Sequence, residues 1–195
     1  MTILSRVGIV LAVVGVVSTT AACAQVRGIV GAGVSVPVGD FADETGGGAK
    51  AGGGTVLLGA EWMPPGRNFG VRLDGNFSQF CTTFCDETGG SLDVKHQVLN
   101  ANLSGVLELP VGTSGKIRPY LLAGAGVYGH KLHGDDVASG AVDSQTDFGV
   151  SGGLGLNVAV GSVGLFAESR FHNVFAEGSD LQYVPVLVGV RVGGR

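Results

Sequence analysis

The chain has 195 residues, is 45 % hydrophobic and only 14 % charged, and carries a formal net charge of −4. A mild acidic excess with no cluster of Lys or Arg argues against a nucleic-acid partner. Beyond the N-terminus no segment reaches the roughly 18 consecutive apolar residues of a membrane-spanning helix, so the apolar content must be distributed in another way.

At the N-terminus Met1–Ser5 leads to Arg6, an apolar run over residues 7–17, and the small-residue exit Ala22-Cys23-Ala24. This is the layout of a cleaved secretory signal, and its apolar core is too short to span a bilayer. We expect residues 1–24 to be the signal peptide and 25–195 to form one domain. Cys23 admits a lipoprotein alternative, although Thr20 stands where such signals usually carry Leu.

From residue 26 onward the hydrophobic pattern has period two, the signature of strands. Eight segments follow in order, at about 26–36, 51–63, 68–80, 93–109, 117–131, 146–160, 163–175 and 181–192. In the seventh, Val163, Leu165, Ala167, Ser169 and Phe171 alternate with Gly164, Phe166, Glu168, Arg170 and His172. In the last, Val184, Val186, Val188, Val190 and Val192 alternate with Tyr183, Pro185, Leu187, Gly189 and Arg191. Several segments exceed the usual strand length, as tilted membrane-crossing strands do.

The connections between segments sort by length. Pro64-Pro65-Gly66-Arg67, residues 110–116 and Gly161-Ser162 are tight and rich in turn formers. Residues 37–50, 81–92, 132–145 and 176–180 are longer connections, and they carry acids, among them Asp40, Asp43, Glu44, Asp86, Glu87, Asp135, Asp136 and Asp143. Strict alternation of short and long connections is the layout of an antiparallel membrane barrel with periplasmic turns at one end and extracellular loops at the other. The expected fold is all-β, an eight-stranded antiparallel up-and-down transmembrane β-barrel, in contact with outer-membrane lipid.

The polar phase of these strands holds Arg27, Glu61, Arg72, Asp74, Glu108, Arg118, Asp147, Glu168, Arg170 and Arg191, five basic and five acidic. An eight-stranded barrel is just wide enough for side chains to fill it. A balanced set of charges on the inward phase is therefore expected to pair within the lumen. Trp62, Phe69, Phe77, Phe148 and Phe171 fall on the outward phase, where girdles of aromatic residues belong. Cys81 and Cys85 close a polar CTTFC stretch, and in an oxidising compartment a small loop disulfide is expected, with a metal pair or free thiols as alternatives.

The run Arg118-Pro119-Tyr120 into LLAGAGVYG, Asp147-Phe148-Gly149-Val150 into SGGLGLNV, residues 166–172 and the closing YVPVLVGVRV together resemble the small outer-membrane β-barrel family of the OmpA transmembrane domain and OmpX. The resemblance spans nearly the whole chain after the signal and implies a bacterial outer-membrane location. It also implies insertion by the outer-membrane assembly machinery. Such barrels commonly end in an aromatic residue, whereas this strand ends Val192-Gly193-Gly194-Arg195.

Other motifs carry less. Gly124-Ala125-Gly126-Val127-Tyr128-Gly129 matches a dinucleotide fingerprint, but no helix start follows it, so cofactor binding is not expected. His130 and His133 with Asp135 and Asp136 lack specific metal-ligand spacing. Glu168, Ser169 and His172 form the sole hydrolase-like cluster, yet positions 169 and 172 of a strand face opposite ways. The expected function is structural, adhesive or surface-interacting, without catalysis and with an extracellular partner at the long loops. A narrow pore and an exported soluble barrel of lipocalin type are the alternatives.

Overall fold

The structure, a computed structural model, describes residues 26–42, 53–85, 91–109, 116–134, 145–176 and 180–193. Within these, the side chains of residues 40, 41, 81–85, 91–96, 130–134 and 145 lie outside the description. The strands are β1 (Val26–Val38), β2 (Gly53–Trp62), β3 (Phe69–Cys85), β4 (Ser91–Glu108), β5 (Ile117–Gly134), β6 (Gln145–Val160), β7 (Val163–Val174) and β8 (Leu181–Gly193). A 3-10 turn, Gly39–Ala42, follows β1. Each strand pairs antiparallel with its neighbour in sequence, and β1 closes on β8 to form a barrel. Closure pairs the backbone donors and acceptors from strand to strand and leaves no edge, the condition for crossing a bilayer with strands. Among the described residues no helix is long and apolar enough to cross a membrane.

Turn chemistry explains the tight end. Arg67 N–H donates to Pro64 O at 3.2 Å, and Gly66 takes φ of 68°, a conformation that side chains resist. Gly161, with φ of 62°, does the same in the two-residue turn between β6 and β7.

The pleat then sorts side chains. Outward positions run Val30, Ala32, Val34 on β1, Leu73, Gly75, Phe77 on β3, Leu99, Ala101, Leu103 on β4, and Val186, Val188, Val190 on β8. Leu154 and Val188 are 63 % and 65 % exposed, and among the described side chains no charge interrupts this face. Trp62, Phe69, Phe77, Phe148 and Phe171 all point outward, and Phe148 stacks on Phe175. On β3 the apolar face runs from Phe69 to the polar Gln79, ten residues that rise about 33 Å along the strand and about 25 Å along the axis at the usual tilt. That is the height of a bilayer's apolar band. Gln79 pairs with Gln97 of β4, and Gln182 of β8 with Asn173 of β7, so polar side chains mark the far boundary. A soluble barrel of lipocalin type needs the opposite arrangement, which excludes that alternative.

The inward face is not uniformly polar, contrary to the simple alternation. Ile29, Leu57, Phe166 and Leu187 form one buried apolar cluster, Phe80, Val98, Tyr128, Val174 and Tyr183 a second, and Met63, Val106, Tyr120 and Leu122 a third. They fill the space between charged groups, so the lumen is a packed core.

The largest departures from the expected strand bounds are at the long-connection end of β3 and β5. β3 continues to Cys85 and β5 to Gly134, so residues 81–85 are strand where a loop was expected. The expected Cys81–Cys85 disulfide falls on side chains outside the described residues.

Candidate functional site: the charged lumen

Inward-facing charges from seven strands meet in the half of the barrel nearer the short turns. Glu61 of β2 and Arg72 of β3 face each other across one rung of the ladder. Arg72 donates to Glu61 Oε2 through Nε (3.1 Å) and Nη2 (2.8 Å), and through Nη1 to Glu168 Oε2 of β7 (2.6 Å). Tyr120 of β5 donates its hydroxyl to the same Glu168 oxygen at 2.6 Å. Arg170 donates through Nε to Glu168 Oε1 (2.7 Å) and through Nη1 to both oxygens of Asp74 (2.9 and 3.1 Å). Arg72, Arg170 and Glu168 are almost wholly buried. Burying a charge is tolerable only with such pairing.

Below this layer, at the short-turn mouth, Glu108 collects three guanidinium groups: Arg27 at 2.7 Å, Arg118 at 3.4 Å and Arg191 at 3.8 Å. Glu61 reaches Arg27 at 3.3 Å and Arg191 at 3.5 Å. Arg191 lies over the Tyr120 ring with its guanidinium carbon 4.2 Å from the centroid, and 5.5 Å from that of Phe166. Nine of the ten charged residues expected in the lumen are thus brought together. The tenth, Asp147, lies towards the other end, opposite Tyr128 in the β5–β6 register.

The charge pattern alone did not reveal a neutral polar layer above. Tyr128 donates to Asn102 Oδ1 at 2.8 Å, and its hydroxyl lies 2.9 Å from His172 Nδ1. Asn100 donates to Tyr183 at 2.7 Å, and the His172 and Tyr183 rings stack with centroids 4.7 Å apart. These residues share strand parity with the charged ones (100 and 102 with 108, 172 with 168 and 170, 183 with 191), which is the signal that could have found them. In β5, Gly124 and Gly126 leave room for Ser104 and Asn102 of β4, so the glycine fingerprint is a packing device inside a strand. Ser169 and His172 face opposite sides of β7, and Glu168 is held by two arginines. His130, His133, Asp135 and Asp136 lie outside the described side chains. Among described residues no group of His, Cys, Asp or Glu could hold a metal ion.

A closed eight-stranded barrel with an unbroken apolar exterior and its charges neutralised inside is a membrane-spanning barrel of the outer-membrane kind. The family model described as "Outer membrane protein beta-barrel domain" matches residues 9–192, and the chain belongs to that family. Its location is the bacterial outer membrane. Neisserial surface protein A is similar in structure, with a TM-score of 0.61 at 16 % identity, covering 87 % of this chain and 97 % of that one. Ail, the attachment invasion locus protein of Yersinia pestis, in complex with the heparin analogue sucrose octasulfate, gives 0.51 at 16 % identity, covering 86 % and 97 %. A major outer membrane protein of Thermus thermophilus gives 0.50 at 15 %, covering 86 % and 98 %. At these identities the likeness is one of fold. No curated protein matches the sequence.

Proposed function

We propose that this chain is a non-catalytic surface barrel whose long connections meet a partner outside the cell, after export under a signal peptide at residues 1–24 and insertion by the assembly machinery. The observation that carries this reading is the continuation of β3, β4 and β5 past the apolar band. On β3 and β4 six residues lie beyond Gln79 and Gln97, about 20 Å of strand on each. Sheet that projects from a membrane barrel presents its hairpin tips on a stiff support, the usual arrangement for recognition by loops. The connections carry many acids and few bases, which suits a partner with a basic surface. A polysulfate such as the heparin analogue sucrose octasulfate, seen in complex with Ail, is a poor match for that charge.

The packed lumen favours this reading over a pore. Cells displaying the barrel are expected to adhere to an immobilised basic protein in a salt-sensitive manner. Neutralising Asp86, Glu87, Asp135 and Asp136 to their amides abolishes adhesion while leaving the protein in the outer membrane. Adhesion that survives neutralisation would refute the loop reading, and reproducible unitary steps in planar bilayers would favour the narrow pore instead.

A further inference from the structure

At the short-turn mouth of the lumen, guanidinium groups from three strands converge on Glu108. Arg27, Arg72, Arg118, Arg170 and Arg191 share four carboxylates, Glu61, Asp74, Glu108 and Glu168. Beside them is a cavity of about 140 Å³ lined by Arg27, Arg118, Arg191, Asn157, Ser162 and Gly164.

Arg191 supplies a second, independent observation. It is only 2 % exposed, yet its Nε, Nη1 and Nη2 donate no hydrogen bond among the described residues. The two carboxylate contacts of Nη1, at 3.5 and 3.8 Å, are the nearest approach of an acid to it there. A buried guanidinium with idle donors is costly, and its fork of donors matches the oxygens of a tetrahedral oxyanion. Val163 also borders the cavity and lies on the outward phase of β7 at the short-turn end, where the inner-leaflet headgroups lie. Basic pockets at that depth take phosphate headgroups.

We infer that this mouth is a binding site for a phosphate-type oxyanion, held by Arg27, Arg118 and Arg191. The source is either free inorganic phosphate or the headgroup of an anionic phospholipid.

The full chain, folded in non-ionic detergent, is titrated with inorganic phosphate by calorimetry at constant ionic strength. Folded in nanodiscs, it is unfolded thermally in phosphatidylglycerol and in phosphatidylcholine. Arg118→Gln removes a half-exposed contact, and Ser162→Glu places a competing carboxylate at the exposed turn without touching an internal ion pair. Arg67→Gln, in the β2–β3 turn outside the cavity, controls for charge alone. Free phosphate is expected to bind saturably, weakened about tenfold by Arg118→Gln, the scale of one charge-assisted hydrogen bond, abolished by Ser162→Glu and unaltered by Arg67→Gln. If phosphate alone gives no heat but phosphatidylglycerol raises the midpoint of the wild type and not of Ser162→Glu, the headgroup is the source. Absence of both responses, or equal responses in all variants, overturns the assignment.

Discussion

Glu168→Gln tests the lumen network most sharply. The carboxylate is 2 % exposed and accepts from Arg72, Tyr120 and Arg170 at 2.6 to 2.7 Å. The amide keeps the shape but loses the charge, and its NH2 is pressed against guanidinium donors. Removing one partner of a buried ion pair costs about 3–5 kcal/mol. Arg72 keeps two bonds to Glu61, and Arg170 keeps two to Asp74, which places the loss near the lower bound, about 3 kcal/mol. Arg118→Gln supplies the contrast. Its pair with Glu108 is 3.4 Å long and the side chain is 45 % exposed, so the loss is under about 1 kcal/mol. Urea unfolding of the protein in phospholipid vesicles, followed by Trp62 fluorescence and by heat-modifiable gel mobility, measures both. Equal, small losses for the two variants would refute the claim that buried pairing organises the lumen.

Other outcomes follow from the same geometry. A Cβ at Gly155 would overlap the Tyr120 ring, so Gly155→Val displaces that ring and lowers stability by about 1–3 kcal/mol in the same unfolding assay; an unchanged midpoint would mean that the ring is not seated there. Arg72→Gln and Glu168→Gln, combined, are expected to cost less than the sum of the single losses, with a coupling of about 0.5–3 kcal/mol in a double-mutant cycle. Trp62, the only tryptophan, faces outward near the short turns, so brominated lipid quenches its fluorescence in vesicles, whereas lack of quenching would place it in water.

The fold was largely legible because period-two patterning survives wherever one face meets lipid and the other a crowded lumen. The ends of β7 and β8 were read within a residue of those observed. Legibility failed at 81–85, where a strand leaving the bilayer no longer needs an apolar face, and Cys-Thr-Thr-Phe-Cys reads as a loop. It failed also for the inward face, since sorting by charge overlooks Ile29, Leu57 and Leu187, which fill volume, and Tyr120, Tyr128, Tyr183 and His172, whose polar atoms are satisfied only across the barrel. Partner choice was hidden for a related reason. Arg72 and Glu168 stand 96 residues apart, and their meeting depends on barrel diameter and side-chain reach, which no local pattern encodes.

The central claim, that the valine and leucine face meets hydrocarbon, is tested most directly at Val188, which is 65 % exposed on β8. Val188→Arg in phospholipid vesicles is expected to cost about 2–4 kcal/mol of unfolding free energy, as arginine does at the midplane of a bilayer. A change within about 0.5 kcal/mol, the ordinary effect of a substitution on a water-facing surface, would contradict it.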